Sequence, residues 1–459
     1  MSMTETIEAD VAIIGGGPAG AAAATYLARA GRNVLVFERE RFPRFRIGES
    51  LLPLNLPILC ELGVSEEMER RFIRKYAANF SDRHGTRQNR YPFAQGINKN
   101  HPFAYEVERA EFDQMLIENA ARHGAKTYME WAVREVLFEG ERAVGVAAEA
   151  VDGGRALTVR CPMVVDASGR SAFLGARLGY KEDLPLASRT AFYSHFEGVQ
   201  RDPGERAGDI QVVAFPHGWF WMIPFKGDNT SVGMVVVDDY LRQRNRIAAE
   251  ALARAQPAGH DGSNEAVAGR GDALNDAFLR HTIEATPYVA ERMQNARQRF
   301  PARSIANFSY RMERYAGDGY VLLGDAGAFL DPVFSSGVFL SMKSAQLAAH
   351  EILRCFETND FSARNFRSYE RRIRAAQGIF FRFIKGWYDP AFLDLFFYPS
   401  NFLGLKSAII SVLAADLFDP RHLWNLKLRI QLLFLMAEIH RLHVRLTRRG
   451  RSLVGQVPV

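Results

Sequence analysis

Asp10-Val11-Ala12-Ile13-Ile14-Gly15-Gly16-Gly17-Pro18-Ala19-Gly20 reads as a short apolar strand that runs straight into a glycine-rich turn. The alanine-rich segment that follows, to Ala30, predicts a helix, and residues 33–37 predict a second strand, so the segment is a βαβ unit. Glycines at Gly15, Gly17 and Gly20 let the backbone turn tightly and approach a pyrophosphate at the helix N-terminus. Glu38 stands 18 residues beyond Gly20, where an acid accepts hydrogen bonds from an adenosine ribose. The pattern predicts a dinucleotide site; glycines serving only helix–strand packing are the plainer alternative.

Outward from this unit, residues 163–167 and 320–325 read as two more buried strands, each ending near an Asp. Between them, 190–238 is rich in alternating β runs, which predicts an antiparallel sheet inserted into the nucleotide-binding domain. Strand signals fade after Ser341, and the rest is helical in pattern with breaks at Asp389-Pro390, Pro399-Ser400 and Asp419-Pro420. The expected organisation is an α/β domain over 1–345, with insertions at about 80–105 and 175–300, then a mostly helical cap over 346–459 with a basic tail at 421–459. Residues 259–271, rich in Gly, Ala and Asp, are expected to form an exposed loop.

At 459 residues the chain exceeds the size at which one core stops growing, so a small binding module is excluded. With 47% apolar and 24% charged residues, long disorder is excluded as well. The three cysteines, Cys60, Cys161 and Cys355, lack metal-ligand spacing, so no zinc site is expected and a reducing cytoplasm fits. The opening residues show no secretory pattern. The apolar stretch 402–418 is interrupted by Lys406 and Asp416 and is too short to span a bilayer, though it can lie on one. Charge is concentrated late: from Arg421 onward eight Lys or Arg face one Glu, a net +7 against +6 for the whole chain. Such a tail suits an acidic carrier protein, an anionic membrane or a nucleic acid, and a solvated helix face is the bland alternative.

Two further segments bear on which dinucleotide is bound. Asp166-Ala167-Ser168-Gly169-Arg170 and Gly324-Asp325-Ala326, each at a strand end, resemble the second and third FAD motifs of the hydroxylase-type flavoproteins. Arg109 stands where that superfamily carries a cofactor-contacting Arg. The resemblance implies a GR2-type, Rossmann-like fold that binds FAD, with Asp325 on the ribityl side. A second glycine fingerprint for a nicotinamide is missing, so reducing equivalents are expected from a separate flavin reductase.

Within that superfamily, residues 8–350 are similar to the flavin-dependent halogenases. Gly218-Trp219-Phe220-Trp221-Met222-Ile223-Pro224 reproduces their Trp-x-Trp-x-Ile-Pro signature, and Gly48-Glu49-Ser50 their flavin loop. Asp331-Pro332-Val333-Phe334-Ser335-Ser336-Gly337 matches the segment that carries halide beside the flavin ring, so by position Ser336 and Gly337 would supply the halide-binding amides and Pro332 would touch cofactor. Lys75-Tyr76-Ala77-Ala78-Asn79-Phe80 fits the stretch around the essential lysine, with Ala77 where the family usually has Gly; a surface lysine at a basic helix end is the competing reading.

The resemblance implies halogenation with FADH2, O2 and chloride or bromide. A C4a-hydroperoxide would oxidise halide to hypohalous acid, and Lys75 would deliver the halogen. Trp219 and Trp221, with Pro224, would bar direct contact between the flavin and the arene. Phe334 replaces the Glu that halogenases of free tryptophan carry in the halide segment, so the resemblance points instead to a pyrrole, a phenol or a polyketide-derived aromatic of secondary metabolism, free or carrier-tethered. No nucleic-acid partner is implied, and peripheral membrane contact through the C-terminal helices stays open. A monooxygenase or reductase of the same fold, and a non-catalytic docking flavoprotein, remain as rivals. Residues 387–398, rich in aromatics, would line a pocket, touch a membrane or simply be core.

Overall fold

The computed structural model describes residues 5–255, 267–307, 309–397 and 402–447. They fall into two compact units, one of Met1–Arg70, Val107–Leu184 and Ser309–Phe381, the other of Arg71–Glu106, Pro185–Phe308 and Arg382–Val459.

In the first unit, Val11–Ile14 is flanked by Met163–Asp166 and Val34–Glu38, with Tyr320–Leu322 and Lys126–Met129 outside them; all five strands run parallel, and Ala316–Gly317 closes one edge antiparallel. Val11–Ile14, Val34–Glu38 and Met163–Asp166 are buried along their whole length, as expected of parallel strands covered on both faces. The turn into helix Pro18–Arg29 works only with glycine. Gly15 has φ +97°, and a Cβ on Gly20 would lie 1.9 Å from the Gly15 carbonyl oxygen. A second sheet, in the order Glu5–Glu8, Ala156–Arg160, Arg142–Ala150, Trp131–Glu139, belongs to the same unit.

In the second unit an eight-stranded sheet runs Arg297–Gln298, Arg189–Glu197, Asn229–Val237, Gly218–Pro224, Ile210–Phe215, Ala77–Asp82, Gln88–Pro92, with Arg303–Asn307 also paired to Arg189–Glu197. The inserted sheet was expected to be antiparallel, and it is so except where Ile210–Phe215 runs parallel to Ala77–Asp82. Alternation along the strands sends Phe220, Met222, Val232 and Met234 into a core with Phe278 of helix Val267–Glu284 and Val289 of helix Pro287–Arg292. Trp219 and Trp221 therefore point to the opposite face.

Three boundaries differ from the expected ones. A cut at 345 would sever helix Ser336–Thr358, which packs on Pro18–Arg29 and belongs to the nucleotide-binding unit. The inserted segments are 71–106 and 185–308, and the chain from Arg382 clusters with the inserted sheet instead of forming its own cap. Of the expected loop 259–271, residues 259–266 lie outside the described residues, and 267–271 open helix Val267–Glu284, which packs against Arg244–Ala255. Beyond that segment the helix buries Asn275, Phe278, Leu279 and Ile283.

Candidate functional site

In the nucleotide-binding unit, Gly17 caps helix Pro18–Arg29 with no side-chain hydrogen bond and no acid in the first turn, so the N–H groups of that turn carry no side-chain cap. Glu38 is buried at its strand end; Oε2 accepts the Gly16 N–H at 2.9 Å and Oε1 the Glu40 N–H at 3.0 Å. The Arg44 guanidinium lies 3.8 Å from Glu38, and its Nη2 is the nearest atom to a Cβ built on Gly17. Arg44 also pairs with buried Asp113 at 2.8 Å, yet its buried Nε has no hydrogen-bond partner among the described residues. A cation with a spare donor over a glycine turn fits a phosphate-bearing ligand.

Arg109 opens helix Arg109–Arg122, grips Asp113 with two hydrogen bonds and donates to the Ile47 carbonyl at 2.8 Å, which fixes the loop that holds Gly48, Glu49 and Ser50. Gly48 has φ +94°, which the loop requires of a glycine. Asp166 faces its own chain: its carboxylate oxygens accept from Ser168 N at 3.0 Å and Leu174 N at 2.8 Å, so this predicted cofactor residue shapes the loop that follows its strand. Gly324 is held by its N–H to Ser344 Oγ. Burial pushes the neighbouring Asp325 carboxyl up to about 6, against Arg170 and Arg109, which pull it down. Because the folded form holds this proton more tightly than an unfolded carboxyl does, apoprotein stability falls as pH rises through about 6. Asp325→Asn apoprotein is expected to melt above wild type at neutral pH and to lose that slope in scanning calorimetry.

Pro332–Phe334 forms a single 3₁₀ turn braced by Asp331, whose Oδ1 accepts the Val333 N–H. Ser335 then adopts the left-handed conformation, φ +54°, and the 23-residue helix Ser336–Thr358 begins with no side-chain cap. The amides of Ser336 and Gly337 sit in that first turn, and a Cβ on Gly337 would meet open space. Unsatisfied N–H groups at a long helix's N-terminus attract anions.

In the second unit, Lys75 is not at a helix end. The helix stops at Arg71, and Lys75 lies on strand Ile73–Lys75, paired antiparallel with Ala104–Glu106. Its side chain is 1% exposed, with Nζ 3.9 Å from Glu106 Oε1, itself 0% exposed. Nζ also lies 5.4 Å from the Phe93 ring centroid. Burial pulls the Lys75 pKa down, and Glu106 and Asp209 oppose it. Asp209 pins the backbone just beyond the lysine, its Oδ1 accepting from Tyr76 N and Ala77 N while Arg90 holds Oδ2. The Ala77 N–H is thus engaged, and Ala77 is not among the positive-φ residues that favour glycine. Removing the Glu106 charge leaves burial dominant, so Glu106→Gln is expected to lower the Lys75 pKa further, as read by NMR titration of its side chain.

Trp219 and Trp221 stand 5.8 Å apart on one sheet face. The Trp219 indole N–H donates to Tyr388 Oη at 3.1 Å, and Arg189 stacks on that tyrosine at 3.7 Å. Trp221 donates to Ser231 Oγ at 3.1 Å and lies where Gly233 leaves room, since a Cβ there would come within 2.3 Å of the indole. Pro224 ends the strand. His217 is stacked on Tyr240 at 4.4 Å and is structural. Of the aromatic run 387–398, Trp387, Phe392, Phe396 and Phe397 are buried and Tyr388 meets Trp219, while Tyr398 lies outside the described residues.

The family model described as tryptophan halogenase matches residues 10–101 and 81–392. A 1H-pyrrole-2-carbonyl-[peptidyl-carrier protein] chlorinase from Pseudomonas fluorescens is 31% identical, covering 91% of this chain and 95% of its own. The chain belongs to the flavin-dependent halogenase family. Among solved structures, the myxobacterial chondrochloren halogenase CndH, an FAD-dependent halogenase, is 36% identical with TM-score 0.72 over 83% of each chain. A flavoprotein/dehydrogenase from Cytophaga hutchinsonii is 27% identical with TM-score 0.81, covering 95% of this chain and 100% of that one.

As a flavin-dependent halogenase the chain is an oxidoreductase that works with FAD, O2 and halide, and the glycine turn, uncapped helix and spare Arg44 donor fit such a dinucleotide. Sequence reasoning missed Arg44, Asp113, Glu106 and Asp209, and it reached Tyr388 only as part of the aromatic run 387–398. Glu106 carried the one usable signal, a carboxylate inside the otherwise apolar run Phe103-Ala104-Tyr105-Glu106-Val107.

Proposed function

We propose that this halogenase modifies an electron-rich aromatic ring, pyrrolic, phenolic or polyketide-derived, carried as a thioester on an acyl carrier protein, with a separate flavin reductase supplying FADH2. The buried Lys75–Glu106 pair carries the reading: a lysine 1% exposed has no role in surface solubility, and its closeness to a carboxylate equips it to exchange a proton. The relative that chlorinates a carrier-bound pyrrole supports the substrate class, as does Phe334 in place of a catalytic Glu.

Gly15, Gly17, Gly20, Glu38 and Arg44 would hold the adenosine and pyrophosphate end of FAD, while Gly48, Glu49, Ser50, Arg109, Gly324, Asp325 and Pro332 would frame the flavin end. Bound reduced FAD, with O2 and halide, supplies a hypohalous acid equivalent. The Ser336 and Gly337 amides hold the halide. Trp219 and Trp221, locked by Tyr388 and Ser231, wall off the arene. Lys75 presents the electrophilic halogen, either hydrogen-bonded to its ammonium or carried on its neutral amine, and Glu106 keeps the proton in balance. The ring carbon then takes the halogen and gives up its proton.

The test is intact-mass analysis of pyrrolyl- and hydroxyaryl-carrier proteins incubated with holoenzyme, a flavin reductase, O2 and bromide or chloride, beside the free acids. Exchange of one ring hydrogen for halogen on the carrier-bound substrate is expected. Hydroxylated or reduced product without halogenation would favour a monooxygenase or dehydrogenase of the same fold.

A further inference from the structure

Helix Pro420–Thr447 has two apolar faces. One is buried: Leu426, Ile430, Leu433 and Ala437 are all at most 3% exposed. On the helical wheel Trp424, Leu428, Leu435, Ile439 and Leu442 fall within an arc of about 60° opposite that face. They are 52% to 76% exposed. Two apolar stripes half a turn apart are more than a helix packed by one side needs.

The outer stripe cannot roll inward. Phe434 stacks on Phe392 at 5.0 Å and meets Phe383 edge-on at 5.7 Å. His440 lies 3.3 Å from Asp394, and Arg441 pairs with Asp389. Helices Pro390–Phe397 and Leu405–Leu413 pack along the inner side. The exposed turn of Phe402 and Leu403 is held where Arg429 donates to the Gly404 carbonyl at 3.4 Å. Of the ten exposed large hydrophobic residues among the described residues, five lie on this one stripe. The apolar stretch 402–418, which by sequence can lie on a membrane, is mostly buried at Leu405–Leu413; the exposed face belongs to the next helix.

We infer that this face is a peripheral docking surface for an anionic lipid bilayer. From Trp424 to Leu442 the stripe is a straight ridge about 27 Å long. A planar bilayer receives such a ridge without a matching groove. The ridge lies in a sequence segment of net +7, with exposed Lys427 on its flank while Arg421 is paired with Asp419, and this charge complements anionic headgroups and opposes pairing with the same helix of a second copy. Trp424 near one end suits the headgroup boundary. No single helix among the described residues is long and apolar enough to cross a membrane; only the bent pair Pro390–Phe397 and Phe402–Leu413 passes that test together, by length and composition.

The test is co-sedimentation of the full-length FAD-loaded protein with phosphatidylcholine vesicles, with or without phosphatidylglycerol. The comparison is the variant Leu435→Ser/Ile439→Ser/Leu442→Ser, whose changes are all on the exposed face. Wild type is expected to bind the anionic vesicles at least about tenfold more tightly than neutral ones, to release in high salt, and to lose at least about tenfold in the triple variant. FAD content and melting temperature should stay unchanged. Equal vesicle binding by the triple variant overturns the inference. So does a wild-type dimer that the variant dissolves while neither binds vesicles, which would make the stripe a seam between copies. Binding to an acidic carrier protein but not to lipid likewise overturns it.

Discussion

Lys75→Met is expected to halogenate about 100- to 10,000-fold more slowly than wild type while still binding FAD and consuming FADH2 and O2. That range is the usual contribution of one positioned proton-transfer group, and every step before halogen delivery is assigned to other residues. The substitution carries a structural cost, because it leaves Glu106 buried without its cation, and breaking a buried pair costs about 3–5 kcal/mol. Lys75→Met/Glu106→Gln removes both charges with similar volume, so it should melt close to wild type and be equally inactive. Recovery of halogenation in the double variant would show that the single one failed through misfolding. The measurements are halogenated product per unit time, flavin absorbance of the purified protein and a thermal melt.

Gly20→Ala has the second large effect. A Cβ at this position would stand 1.9 Å from the Gly15 carbonyl oxygen, a backbone atom that can withdraw only by moving the turn or the helix N-terminus. Both carry the proposed pyrophosphate contacts, so FAD binding should weaken by a factor on the order of a hundred or more. Gly378→Ala is the internal control. It lies inside helix Arg367–Trp387, away from the glycine turn, and a Cβ there would meet nothing within 4 Å. If both variants retain FAD equally on gel filtration, the cradle does not work as described.

The glycine turn, the parallel strands and the inserted sheet were legible in the sequence because each rests on local pattern: apolar runs, glycine spacing, alternation. The placement of helix Ser336–Thr358 was not. Its own sequence says helix, but only tertiary packing on Pro18–Arg29 assigns it to the nucleotide-binding unit. Lys75 illustrates the same limit from the other side. Its neighbours Arg70, Arg71 and Arg74 advertise a solvated basic segment, yet the chain turns into a strand at Ile73, and pairing with Ala104–Glu106 puts the lysine inside. Glu106 and Asp209 lie far from Lys75 in sequence, so no window of residues could bring them to it. The two faces of Pro420–Thr447 fall in this class as well, since a helix apolar on both sides shows no one-sided period until the buried side is known.

Delivery through Lys75 requires that the oxidised halogen stay inside the protein. The most direct test is turnover by the wild-type holoenzyme on its arene with a fast external hypohalite scavenger in large excess. Product yield and regiochemistry should be unaffected by the scavenger. Loss of product in proportion to scavenger would mean that halogenation happens in solution, and the buried lysine would then have no part in it.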